Sequence, residues 1–285
     1  MKKLILLFSL ITFFANAQTS SISFTENKGQ VSDQFYKSRP DVLFAGSANG
    51  MAFHLRNNGI SYQLNRVDSW KEEEDFKTKE KRKVADKTNI YRLDINWLGI
   101  NPNFTTQTEK PTEGYNNYYL EVCPNGVHNV KSYQGVFYNN IYNNINLHYY
   151  QKNNALKYDY IVAPGGNYKQ IQLQIKGATA INLQKDGSLA LITPIGKIKE
   201  GAPLVYQNGK QLKAKWVVVN NVLSFDIENY NPKLELIIDP VTRLWGTYYG
   251  GAGTDYGVFT STDAVGNVYL AGYTTTNSGT DMLPS

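Results

Sequence analysis

The hydrophobic pattern of this chain repeats with a period of two residues. From Ala155 to Val162, Leu156, Tyr158, Tyr160 and Val162 share one side, while Lys157 and Asp159 take the other. From Ile171 to Lys176, Ile171, Leu173 and Ile175 alternate with Gln172, Gln174 and Lys176. Leu212, Ala214, Trp216 and Val218 oppose Lys213 and Lys215, and Leu234, Leu236 and Ile238 share a side. Successive side chains of a strand point to opposite faces, so these runs predict strands with one face on a core and one in water. Asn49-Gly50, Asn58-Gly59, Pro164-Gly165-Gly166, Asp186-Gly187 and Asn208-Gly209 punctuate them. Asn-Gly and Asp-Gly supply the positive φ of tight hairpin turns. Hairpins are therefore expected from Ile181–Gln184 to Leu189–Thr193 and from Leu204–Gln207 to Gln211–Val219. Many short strands with regular turns predict an all-β fold, with a large antiparallel sandwich-like N-terminal domain.

One stretch lacks the pattern. Lys71 to Lys87 mixes both charge signs, with Phe76 and Val84 as its only large apolar residues. It reads as a solvated mobile loop between strands Ile60–Arg66 and Ile90–Trp97. A short helix, or a basic docking patch around Lys81-Arg82-Lys83, is the alternative.

The N-terminus carries a different signal. Lys2 and Lys3 precede the apolar run Leu4–Phe14, and Ala15-Asn16-Ala17 forms a small-x-small site. Residues 1–17 are read as a secretory signal peptide, cleaved near Ala17-Gln18, and the mature chain as secreted or cell-surface. An uncleaved anchor is the alternative, although the run is short for a bilayer. No later stretch holds 18 consecutive apolar residues, so no transmembrane segment is expected in the mature chain.

Composition narrows the partners. A net charge of +5, lower once Lys2 and Lys3 are removed, gives no basic stripe, so no nucleic-acid partner is expected. Cys123 is the single cysteine, which excludes an internal disulfide, and before Pro124 it reads as a packing residue. The 21 tyrosines and abundant Asn and Thr favour half-buried sheet faces.

Catalytic chemistry is sparse. His54, His128 and His148 are scattered without metal-ligand spacing and read as ordinary sheet residues. No nucleophile elbow, phosphate loop or dinucleotide fingerprint occurs, and no cofactor is expected. Glycosidases need two suitably spaced carboxylates, and Asp159, Asp226, Glu228 and Asp239 are candidates only in that they lie on or near strands. Asp239, before Pro240, is better read as ending a strand. Gly250 to Val258 approaches a calcium-binding nonapeptide, but Gly257 occupies its apolar position and there is one copy. Asp255 is the weak candidate for a metal ligand. The other reading is a glycine turn, with Asp255 capping backbone amides.

Composition shifts after Asp239-Pro240 to a Gly-, Thr- and Tyr-rich piece with few charges. A boundary is placed at about 240–245, giving 18–240 as the N-terminal domain and 241–285 as a final segment too short to fold alone. That segment, Trp245-Gly-Thr-Tyr-Tyr-Gly-Gly-Ala-Gly-Thr-Asp-Tyr-Gly followed by Thr262-Asp-Ala-Val-Gly-Asn-Val-Tyr-Leu-Ala-Gly-Tyr-Thr274, resembles one SBBP repeat, of the β-propeller-related family in secreted bacterial proteins. In it Asp263–Asn267 would be the turn and Val268–Tyr273 the following strand.

Upstream, Phe24-Thr-Glu-Asn-Lys-Gly-Gln30, Tyr133-Gln-Gly-Val-Phe-Tyr-Asn-Asn-Ile, Ile145-Asn-Leu-His-Tyr-Tyr150, Leu156–Gly165, Asp186-Gly-Ser-Leu, Gly201-Ala-Pro-Leu-Val-Tyr-Gln207 and Ile237-Ile-Asp-Pro240 resemble the N-terminal β domain of unknown function that precedes such repeats. The resemblance implies a partial propeller-type repeat after the β domain, and a fragment of a longer surface protein ending at Pro284-Ser285. It implies no enzyme activity. Relatives in gliding-type bacteria often carry a type IX sorting domain. Glu26, Asn27, Gly29 and Gln30 form the family's most distinctive tetrad, read here as satisfying backbone groups rather than binding a ligand.

The functional expectation is a non-catalytic exported β module for adhesion, binding or display, with an unknown extracellular partner such as a glycan or matrix. Asn116, Asn117, Tyr118 and Tyr119, with Tyr138 to Asn144, are the stretches richest in contact chemistry. A glycan-active enzyme or glycan-binding accessory module, and a purely structural spacer, are the alternatives.

Overall fold

The structure, a computed structural model, describes residues 22–48, 51–77, 79, 81–152, 155–243, 255–262 and 268–274. The signal region 1–17, the Asn49-Gly50 turn, the Asp263–Asn267 turn and the stretch 245–254 lie outside the described residues.

The strands in chain order are β1 (Phe24–Glu26), β2 (Val42–Ala48), β3 (Met51–Arg56), β4 (Gly59–Glu74), β5 (Lys81–Trp97), β6 (Thr105–Thr108), β7 (Asn116–Leu120), β8 (Cys123–Val130), β9 (Ser132–Tyr133), β10 (Gly135–Tyr142) and β11 (Ile145–Lys152). They continue with β12 (Ala155–Val162), β13 (Leu173–Lys176), β14 (Ala180–Leu183), β15 (Leu189–Thr193), β16 (Gly196–Gln207), β17 (Lys210–Leu212), β18 (Ala214–Val219), β19 (Val222–Ile227), β20 (Leu236–Arg243), β21 (Asp255–Thr262) and β22 (Val268–Thr274). Among the described residues the only helical piece is a 3-10 turn at Tyr168–Gln170.

Two nine-stranded sheets dominate. The first runs β18-β19-β13-β5-β4-β3-β2-β1-β9. The second runs β14-β15-β16-β20-β12-β11-β10-β6, with β17 added on β16. Neighbouring strands in both sheets run antiparallel. Their inner faces share one core: Phe53, Leu55, Tyr62 and Leu93 from the first sheet, and Leu147, Tyr149, Tyr160 and Ile238 from the second. Rings meet across it, with Trp97 and Tyr138 at 4.9 Å and Tyr160 and Phe225 at 6.2 Å between centroids. Tyr138 also donates its hydroxyl to the Arg56 carbonyl at 3.1 Å, tying a polar tip down where it would otherwise be unpaired. The result is an all-β sandwich-like fold, as the two-residue rhythm requires.

The rhythm maps residue by residue on β12, where Leu156, Tyr158, Tyr160 and Val162 are buried and Lys157 and Asp159 face outward. The Asp186-Gly187 hairpin forms between β14 and β15, and Asn208-Gly209 turns β16 into β17, with Asn208 at φ 49° and Gly209 at φ 72°. The expected strand Gln211–Val219 is broken. β17 pairs with β16 in the second sheet, whereas β18 pairs with β19 in the first. The chain changes sheets at Lys213, and the buried Trp216 holds the crossing by donating Nε1–H to the Gly201 carbonyl at 2.7 Å. Leu234 is exposed and precedes β20 rather than belonging to it.

The segment Lys71–Lys87 is a correction. In place of a loop, β4 and β5 continue past the core as a two-stranded ribbon, with Glu72 opposite Lys83, Glu73 opposite Arg82 and Glu74 opposite Lys81. Acidic residues on one strand face basic residues on the other, so cross-strand charge pairing supplies what the absent apolar side chains do not. Lys71–Glu73, Lys79–Glu74 and Lys81–Glu72 lie at 2.9, 3.2 and 3.8 Å. No helix forms among the described residues there, and the basic residues of the supposed docking patch sit opposite carboxylates.

Asp239 is the second correction, because β20 runs through Pro240 to Arg243. A proline is tolerated here because Pro240 lies opposite Pro203, next to a register shift between Glu200 and Pro203, so neither strand is asked for the missing N–H. Beyond the sandwich, β7 pairs with β8, and β21 with β22. β22 covers the strand expected at Val268–Tyr273.

Candidate functional site

The tetrad near the N-terminus makes a tight brace. Asn27 donates its amide to the carbonyls of Arg39 at 2.9 Å and Val42 at 2.8 Å, and its Oδ1 accepts from the Gly29 and Val31 amides at 2.9 and 3.2 Å. Gln30 donates to the Glu26 carbonyl at 2.6 Å and accepts from the Lys28 amide at 2.8 Å. Glu26 accepts from the Lys131 amide at 2.8 Å and meets Lys28 Nζ at 3.0 Å. Gly29 sits at φ 116°, a backbone that side chains rarely adopt. These groups are spent on main chain, which is the structural role expected of them.

Beside this brace lies a groove of about 430 Å³ on the outer face of β1, β2 and β3. Ser23, Thr25, Ser47, Gln30 and His54 contribute polar groups, and Tyr118 of the β7–β8 hairpin contributes a ring. None of the residues lining it carries a carboxylate, ammonium or guanidinium group. His54 is held below the ordinary imidazole range by burial first, then by the charges of Arg39 and Arg92, so its ring is neutral at neutral pH. Gly46 is obligatory in the floor, since a Cβ there would stand 2.5 Å from the Ser23 carbonyl. Above, the hairpin exposes Asn116, Asn117 and Tyr119, and Tyr119 bonds His128 at 2.9 Å.

A second constellation lies on the outer face of the other sheet. The registers align Gln107, Phe137, His148 and Asp159 across β6, β10, β11 and β12. Pairing of Tyr160 with Ile238 then carries Asp159 onto Asp239, which faces Leu204 on β16. His148 is stacked on Phe137, with centroids 3.9 Å apart, and on Tyr150 at 4.7 Å. His148 Nε2 meets Glu109 Oε2 at 3.0 Å, over Gly135, where a Cβ would lie 2.1 Å from that oxygen. Tyr150 donates to Asp159 Oδ2 at 3.0 Å, and Lys157 Nζ stands 3.9 Å from Asp239 Oδ1. Burial, and then the Asp239 charge, hold the Asp159 carboxyl above the ordinary carboxylate range.

Of the four candidate acids, the fold thus brings Asp159 and Asp239 together. Asp226 lies on β19 of the other sheet, paired with Lys215 at 3.2 Å, and Glu228 is an exposed turn residue. The three histidines stand on three separate elements, β3, β8 and β11. Cys123 is half-buried, with its thiol toward the Tyr118 carbonyl at 3.8 Å. Among the described residues no cluster of three His, Cys, Asp or Glu could hold a metal, and the Asp255 side chain lies outside them. The stretch Tyr138–Asn144 is a correction. Tyr138, Ile141 and Tyr142 are core residues, Asn140 sits at the register shift within β10 at φ 56°, and Asn144 serves the turn into β11 at φ 61°. Alternation places Lys157 and Asp159 on one face, but nothing in the sequence joins them to Glu109, Tyr150 or Asp239.

Among the described residues no helix is long and apolar enough to cross a membrane. No curated protein and no solved structure matches the chain. The family described as a domain of unknown function, DUF7948, matches residues 24–241, from β1 into β20, and the chain belongs to that family.

Proposed function

We propose that this is a non-catalytic, exported surface or secreted β module that binds a neutral saccharide in the groove under the β7–β8 hairpin. The observation that carries this reading is the groove's chemistry: hydroxyls, a neutral imidazole and the Tyr118 ring, with no charged side chain in the lining. A sugar offers hydroxyls that both donate and accept, and a C–H face that packs on an aromatic ring. Neutral partners match it without stranding a buried charge. Export rests on the signal-like residues 1–17, and attachment to a larger surface protein rests on the resemblance of residues 245–274 to an SBBP repeat. The test is a glycan array with the full chain, followed by calorimetry on any hit. Tyr118→Ala is expected to weaken binding at least about tenfold, the loss of roughly 1.4 kcal/mol of contact. No binder on the array, or a hit indifferent to Tyr118→Ala, overturns the reading.

A second reading, a glycan hydrolase, is favoured by the Asp159–Asp239 pair, two carboxyl groups on neighbouring strands with that of Asp159 held above the ordinary range. Release of reducing sugar from a polysaccharide panel, lost in both Asp159→Asn and Asp239→Asn, would support it. A panel without turnover removes it.

A further inference from the structure

Lys157 and Asp239 occupy adjacent strands of the second sheet, β12 and β20. Lys157 Nζ lies 3.9 Å from Asp239 Oδ1, and the two side chains are 13% and 22% exposed. An ordinary surface lysine keeps its head in water on a mobile stem. This one is largely withdrawn from water, with its amine within ion-pair reach of one carboxylate. Asp159 follows two residues later on the same face of β12 and feels the Lys157 charge. Asp239 Oδ1 and Asp159 Oδ1 are both buried and accept no hydrogen bond from the described residues. Tyr150 fixes the other oxygen of Asp159 at 3.0 Å. A half-buried amine, a carboxyl with one unpartnered buried oxygen and a second carboxyl beside both have no ligand role in the groove described above, since none of the three lines it.

We propose that Lys157 and Asp239 are joined in the folded protein by an intramolecular amide bond between Lys157 Nζ and Asp239 Cγ, with Asp159 carrying the proton. The Lys157 ammonium gives a proton to the Asp159 carboxylate, which passes it to an Asp239 oxygen, and the freed amine attacks Cγ of the resulting carboxylic acid. An N–C bond forms, the tetrahedral centre collapses, and one Asp239 oxygen leaves as water with that proton and one from the nitrogen. An ammonium and a carboxylate become a neutral amide and one water, so no oxidant or other reactant is required. Burial and the Asp239 charge raise the Asp159 carboxyl, which suits a group that must both take and return a proton. Fixed proximity in a partly desolvated site supplies the driving geometry. The product removes two charges from a place with few partners for them. It also closes a loop holding β13 to β19, so the sandwich is stapled where a single cysteine allows no disulfide.

Peptide mapping by mass spectrometry tests this on the full chain, folded and purified near neutral pH. The expected result is a branched peptide joining Lys157 to Asp239, lighter by one water than its two linear parts. A succinimide cannot mimic that loss at Asp239, because Pro240 has no amide N–H to attack its side chain. Asp159→Ala leaves both reacting groups in place and is expected to give linear peptides of full mass from a chain that still melts cooperatively. Lys157→Ala and Asp239→Ala are expected to do the same. A folded wild-type chain with Lys157 in a linear peptide overturns the proposal, and a bond that persists in Asp159→Ala overturns the role of Asp159. Saccharide binding is read separately through Tyr118, so the two outcomes do not depend on each other. A cross-linked Asp239 would also be unavailable to a hydrolase.

Discussion

Asn27 is the position where a single substitution separates a brace from a binding site. Its side chain makes four hydrogen bonds to main chain: to the carbonyls of Arg39 and Val42, and from the amides of Gly29 and Val31. They join the end of β1 to the segment leading into β2, over a turn that carries Gly29 at φ 116°. Each such bond contributes about 1 kcal/mol net, and a part-buried group left unpaired costs more. Asn27→Ala is therefore expected to destabilise the domain by about 3–5 kcal/mol, allowing for some rescue by water. For a domain of this size that lowers Tm by roughly 6–20 °C. Asn27→Asp keeps the oxygen that accepts two amides but turns an anionic oxygen toward the Arg39 and Val42 carbonyls, so a loss at least as large as that of the alanine variant is expected. Thermal and urea melts followed by circular dichroism give both numbers. If Asn27→Ala melts within about 1 kcal/mol of wild type yet abolishes saccharide binding, the tetrad is a ligand site and the structural account fails.

Two further outcomes follow from the fold. Arg39 holds the Asp41 carboxyl below its ordinary range through bonds of 2.7 Å, so the pair's contribution is present above the unfolded carboxylate value and is lost as pH falls through the lower folded value. The gap in Tm between wild type and Asp41→Asn should accordingly be open at neutral pH and close in strong acid, and a gap independent of pH would refute it. Shortening the β4–β5 ribbon by replacing residues 70–85 with Asn-Gly should leave Tm within about 3 °C, because those of the removed residues that are described are exposed or half-exposed and their ion pairs contribute little. A larger fall would show that the ribbon packs on the sandwich.

Periodicity carries most of the architecture. Where apolar residues alternate in β11 and β12, a strand stands with those residues inside, because a pleated strand buries one face, whereas the runs Leu212–Val218 and Leu234–Ile238 match only in part. The Asn208-Gly209 hairpin forms for the same local reason, since its two positive φ angles are decided within two residues. The charge run Lys71–Lys87 reads as a loop because its pairing is between strands, and a linear scan sees only its polarity.

The all-β class, the strand faces and the make-up of the core are local properties, legible in the chain because they depend on neighbours one or two residues apart. Which outward residues meet is settled only when the sheets assemble. Lys157 and Asp159 share a face by local geometry, but Asp239 reaches them because β20 pairs with β12 after the chain between them has contributed strands to both sheets. The groove likewise needs Tyr118, from a hairpin far along the chain, to stand over β1 and β3. Strand order is set by the packing of two whole sheets, and no two-residue rhythm encodes it.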